Sequence, residues 1–113
     1  MKIVIAGTIS IDPARRDACL AASVPLQQAT RTDEPGCLAY VFSPDPAELG
    51  DIAVYELWSD AESLGAHFLH ANYVAMRTMF GEHGITGSSV RKYRIDAEAP
   101  VYNAERIATT SFG

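Results

Sequence analysis

The segment Ile52 to Ser59, IAVYELWS, is rich in β-branched and aromatic residues and reads as a strand. Period-two alternation places Ile52, Val54, Glu56 and Trp58 on one side and Ala53, Tyr55 and Leu57 on the other. Both sets are mainly apolar. The preceding CLAYVFSPDP behaves alike, with Leu38, Tyr40 and Phe42 opposing Cys37, Ala39 and Val41. The Pro-, Gly- and Asp-rich PDPAELGD between them joins the two as a hairpin. A sheet with two apolar faces must be covered on both sides.

The flanking segments say what covers it. Ile3 to Ile11 is a β-branched apolar run, hence a first strand. Asp12 can cap a helix whose first position suits Pro13. This helix is predicted over Ala14 to about Ala29, with Ala18, Leu20 or Ala21, Val24 and Gln28 along it. Pro25 predicts a bend or break between Ser23 and Leu26, and Thr30 to Gly36 (TRTDEPG) reads as a turn. Ser59 or Asp60 caps a second helix, predicted from Ala61 to about Gly81. Leu64, Phe68, Ala71, Ala75 and Met79 form its stripe, with Leu69, Tyr73, Met76 and Phe80 beside it, so most of this helix should be buried. GEHG ends it, and Ile85 to Ile95 is a fourth strand.

The order β-α-β-β-α-β predicts an α+β, ferredoxin-like domain over residues 1–96: an antiparallel sheet with both helices on one face. The helices leave the second face bare. A homodimer packed sheet against sheet, a dimeric α/β barrel, would cover it. Residues 97–113 form a C-terminal tail without clear period, expected to contact the partner subunit.

Composition narrows the partners. With 48% hydrophobic and 20% charged residues, the chain has the balance of a soluble globular domain. A net charge of −5 and scattered basic residues, apart from RKYR (Arg91 to Arg94), give no footprint for nucleic acid. KIVIAGTISI is too short to span a bilayer and is followed at once by Asp12-Pro13, so no membrane partner is expected. Cys19 and Cys37 lack a CxxC pattern and read as small buried hydrophobes in a reducing, cytoplasmic setting.

Chemistry concentrates in ESLGAHFLHANY, where His67 and His70 stand three residues apart. With Glu56 they could form a two-His, one-carboxylate set, but no HExxH occurs and no metal is expected. His70 lies about 60° around the helix from His67 and is expected to face solvent. Glu56, among apolar neighbours, needs a partner, for which His67, an Arg or backbone amides are candidates.

The segment YELWSDAESLGAHFLHANYVAM resembles the antibiotic biosynthesis monooxygenase-like family of small dimeric ferredoxin-like proteins. The resemblance rests on a strand ending in Glu56-x-Trp58, the turn Ser59-Asp60, Leu64, and Ala66-His67 on the second helix. It implies a monooxygenase acting on a small aromatic, phenolic or quinol-type substrate with O2, without flavin, haem or metal. His67 would be the catalytic base, its ordinary pKa of about 6.5 leaving a useful neutral fraction. Trp58, Asn72 and Tyr73 would orient oxygen atoms, Arg77 would meet an anionic group, and Phe42, Phe68, Met76 and Phe80 would supply walls. Glu56 would be a structural polar partner. The haem-degrading branch uses an Asn on the first strand and a Trp on the second helix; here Lys2 to Ile11 lacks Asn and His67 stands at the Trp position. Two alternatives share the fold: a non-catalytic binding or dimerisation module, and a proton-transfer isomerase or lyase.

Overall fold

The computed structural model describes Met1–Gly113. Its elements are β1 (Ile3–Ile11), α1 (Pro13–Asp33), β2 (Cys37–Pro44), β3 (Asp51–Trp58), α2 (Ala61–Leu69), α3 (Ala71–His83) and β4 (Ile85–Arg94). The four strands form one antiparallel sheet in the order β2-β3-β1-β4, with the helices on one face. This is the ferredoxin-like α+β arrangement.

The caps act as anticipated. Asp12 accepts from the Ala14 amide at 2.9 Å with Pro13 at the first turn, and Asp60 accepts from the Ser63 amide at 2.7 Å. Gly84, at φ 75°, closes α3 in the left-handed region.

The break expected at Pro25 does not occur: α1 runs through it and takes in Thr30–Asp33, expected as turn. Pro25 and Ala21 are both exposed, so water can satisfy the carbonyl that the proline leaves without a donor. The two halves are tied to the sheet independently. Gln27 bonds both the carbonyl (3.1 Å) and the amide (3.0 Å) of Phe42, and Arg31 bonds the Tyr40 carbonyl at 2.6 and 2.9 Å. These side chains also occupy the outer backbone edge of β2, which would otherwise be open for pairing. The buried face is Cys19, Ser23, Gln27 and Thr30, not the stripe of Ala18, Val24 and Gln28. That face is largely polar, which hid it from a hydrophobic count.

The second helix is two helices. His70 adopts an extended conformation (φ −79°, ψ 147°), ending α2 and capping α3 through Nδ1, which accepts from the Asn72 amide at 3.0 Å. The break shifts the helical phase, so Leu64, His67, Met76, Met79 and Phe80 are buried while Ala71, Ala75 and Leu69 (88% exposed) are not. His70 is therefore a half-buried cap rather than a solvent-facing bystander.

The core lies between helices and sheet, with Ile5, Ile9, Ile11, Tyr40, Ile52 and Trp58 among its members. Both cysteines are free; Cys19 is buried and Cys37 half-buried. A bulge between Cys37 and Ala39 carries Leu38 away from the face shared by Tyr40 and Phe42, and Leu38 is exposed. On the face opposite the helices, Val41, Tyr55 and Ala6 lie side by side, next to the row Ala39, Leu57, Val4 and Tyr93. Val41, Tyr55 and Tyr93 are exposed. The tail turns back on itself at the Tyr102–Ala108 bridge and meets the domain through an ion pair between Glu98 and Lys2 at 3.0 Å. No helix is long and apolar enough to cross a membrane.

Candidate active site

The helices cover the sheet unevenly. α1 packs on β2 and α2 on β3, whereas no helix packs closely on β4. Beside β1 and β4, beneath α2 and α3, this leaves a cavity of about 780 Å³. Its size suits a small-molecule pocket. Ile5, Ile9, Val54 and Glu56 line it from the sheet, and His67, Phe68, Tyr73 and Met76 from the helices.

His67 is 1% exposed and borders this cavity from α2. Its ring lies 4.4 Å from the Trp58 ring, centroid to centroid, with Tyr40 and Tyr73 edge-on at 5.5 and 5.2 Å. Nδ1 is 2.8 Å from Oε1 of Glu34, itself buried. A carboxylate can only accept here, so Nδ1 carries the hydrogen and Nε2 keeps its lone pair in the neutral ring. Burial lowers the His67 pKa, opposed in part by the Glu34 hydrogen bond and charge. The result is a neutral, oriented imidazole at neutral pH, the state that can accept a proton.

Glu34 reaches α2 because of the turn that follows it. It caps the C-terminus of α1, its amide donating to the Thr30 carbonyl, and Pro35-Gly36 then turn the chain against α2. At Gly36 a Cβ would overlap the side chain of Ser63, so only glycine permits this approach. The Gly36 carbonyl accepts from the Ser59 amide at 2.9 Å. His67 follows Ser63 by one helical turn and so meets the carboxylate. The second oxygen of Glu34 accepts from Asn72 Nδ2 at 3.2 Å and stands 4.0 Å from His70 Nδ1.

Glu56 finds its partner elsewhere than expected. Neither His67, an arginine nor a backbone amide serves it; the Trp58 indole Nε1 donates to Oε1 at 2.9 Å. Oε2 has no hydrogen-bond partner within the chain. Burial, helped by the Glu34 charge and opposed by the indole hydrogen bond, pushes the Glu56 carboxyl up to about 7. A carboxyl held there exchanges a proton near neutrality.

The cavity thus brings together Phe42, Glu56, His67, Phe68, Tyr73, Met76 and Arg77. It does not include Trp58 or Asn72. Trp58 is fully buried behind His67, and the Asn72 amide is turned to Glu34 and Asp33. No three His, Cys, Asp or Glu side chains gather as a metal-binding group, and the carboxylate beside both histidines is Glu34 rather than Glu56. Glu34 is the residue that sequence reasoning missed. An acidic residue in a Pro-Gly turn reads as solvated loop, and nothing local marks it as buried. Tyr40 and Lys92 also border the cavity unanticipated.

The sequence matches the protein-family model for antibiotic biosynthesis monooxygenase over residues 2–78. An uncharacterised protein of Synechocystis is 33% identical over 66 residues, a match spanning 58% of this chain and 44% of that protein's own length. Among solved structures, a candidate antibiotic biosynthesis monooxygenase of Caulobacter crescentus superimposes with a TM-score of 0.76 at 23% identity, covering 87% of this chain and 91% of that one. Rv0793 of Mycobacterium tuberculosis gives 0.75 at 23% identity, covering 88% and 100%. A structure described as an antibiotic biosynthesis monooxygenase gives 0.69 at 27% identity, covering 88% and 100%. The family match over most of the chain carries the assignment, and the superpositions agree in fold. The chain belongs to the antibiotic biosynthesis monooxygenase family.

Proposed function

We propose that the protein is a monooxygenase that oxidises a small hydroxyarene or quinol-type molecule with O2 directly, with His67 as the base. The observation that carries this reading is His67 bordering a ring-sized cavity while Glu34 fixes its tautomer. Nε2 of His67 takes the hydroxyl proton, and the electron-rich anion reduces O2 at a ring carbon. The hydroperoxide so formed loses water as its O–O bond breaks and the carbon–hydrogen bond gives up its proton. One oxygen atom remains as the quinone carbonyl and the other leaves as water. In a mainly apolar cavity the anion, once His67 has formed it, is not stabilised by bulk water and so gives up electrons to O2 more readily. Tyr73 and the Glu56 carboxyl are the polar groups able to hold the substrate oxygens, and Phe42, Phe68 and Met76 supply walls. Trp58 and Asn72 act indirectly, through Glu56 and Glu34.

The working unit in this reading is a homodimer joined through the exposed sheet face. Val41, Tyr55 and Tyr93 there are the kind of aromatic and branched side chains found at buried interfaces. Val101, Tyr102, Ile107 and Phe112 leave the tail equally apolar and exposed, suited to lie against the partner.

Oxygen uptake by metal-free protein with a panel of hydroquinones, naphthols and anthrones tests the reaction. Uptake with one labelled oxygen atom from ¹⁸O2 entering the product is the expected result. No uptake on any member, with binding intact, would leave a binding module or a proton-transfer enzyme in its place.

A further inference from the structure

The cavity joins two electrostatically unlike ends. Glu56 lies at the inner end, and Glu34 stands behind His67, both buried. Arg77, Arg91 and Lys92 border the same cavity and are exposed. The chain has nine Lys and Arg against fourteen Asp and Glu, so two basic side chains on the cavity side, Arg77 and Lys92, with Arg91 next to them, are a local concentration. Lys2, Arg16 and Arg31 are committed to Glu98, to loop carbonyls and to the Tyr40 carbonyl. Arg77, Arg91 and Lys92 have no ion-pair or hydrogen-bond partner within the chain.

The strand register places the cations relative to the acid. Glu56 pairs with Ile5, and Ile5 with Lys92, so the three share the helix-facing side of one cross-strand row. Two strand spacings, about 9.5 Å, separate the backbones of Glu56 and Lys92. From the helix side, the Arg77 guanidinium stands 5.9 Å from the Tyr73 ring centroid. Arg91, one residue from Lys92, alternates toward the other face and adds only to the general field.

We infer that the cavity selects a hydroxyarene bearing an anionic group, such as a carboxylate, remote from the reacting hydroxyl, with Arg77 and Lys92 holding the anion at the mouth. The two cations draw the anionic group to the mouth, so charge orients the ring with its hydroxyl toward His67. A two-ring aromatic acid has the reach to touch both ends. The orientation rests on the monooxygenase reading; the charge preference does not.

Calorimetric titration with 6-hydroxy-2-naphthoate, whose carboxylate and hydroxyl lie at opposite ends of the two rings, and with uncharged 2-naphthol separates the two. The acid should bind about 10-fold more tightly at low salt, with the advantage shrinking as salt rises. Arg77→Gln and Lys92→Gln should each reduce that advantage by about 3-fold, and the double variant should abolish it. Equal binding of acid and naphthol by wild type, binding of neither, or a preference that survives the double variant would overturn the inference. Preserved charge preference without oxygen uptake on any substrate would remove the monooxygenase reading alone. Circular dichroism of each variant checks that the fold is retained.

Discussion

Oε1 of Glu34 lies 2.8 Å from Nδ1 of His67, linking the C-terminal cap of α1 to an imidazole in α2. Truncation to Glu34→Ala deprives two donors, His67 Nδ1–H and Asn72 Nδ2–H, of their acceptor. The expected loss of stability is about 2–4 kcal/mol, read from urea unfolding. ¹⁵N NMR of the imidazole should change from one tautomer to a mixture. An unchanged tautomer in the variant would mean that Glu34 does not orient the ring.

Gly36→Ala tests the same pair without touching either partner. Its Cβ would overlap Ser63, so the turn must move away from α2. The expected outcome is a folded but weakened protein, by about 1–3 kcal/mol, with His67 losing its single tautomer. Retention of both the stability and the tautomer would show that the close approach is unnecessary.

Glu56 gives stability a definite pH dependence. Its folded value is about 7 against an ordinary 4.5. Between these values the unfolded chain releases a proton that the folded chain keeps, so stability falls as pH rises through that window. The fall is on the order of 3 kcal/mol. Glu56→Gln keeps an acceptor oxygen for the Trp58 indole and removes the titration. It should melt above wild type at pH 8 and near it at pH 4.5; equal melting at both would contradict the buried-acid description. His67 acts in the opposite sense. Its pKa is lowered by burial, so below about 6.5 the unfolded chain takes the proton first and stability falls toward acid.

The exposed sheet face is tested by charge. Tyr55→Glu places a carboxylate in the middle of the apolar rows, far from the cavity side of β3. Light scattering should show a dimer for wild type and a monomer for the variant at micromolar concentration. A monomeric wild type would remove the proposed dimer.

Much of the frame was legible because its signals are local. Alternation in Ile52 to Trp58 and the caps Asp12 and Asp60 need only neighbours to be read. His67, Tyr73, Met76 and Arg77 could be grouped from one short segment for the same reason. The continuity of α1 through Pro25 was not legible, since it depends on Gln27 and Arg31 meeting β2. Nor was the break at His70, where a side chain replaces a helical hydrogen bond. Glu34 stands 33 residues before His67 in an ordinary turn motif, and only the folded chain brings them together.

The most direct measurement compares oxygen consumption by wild type and His67→Ala on a substrate that the wild type oxidises, at one pH and protein concentration. The expected result is a fall of about 10²–10⁴-fold in turnover by a variant that remains folded. Unchanged turnover in the folded variant would contradict the assignment of His67 as the base.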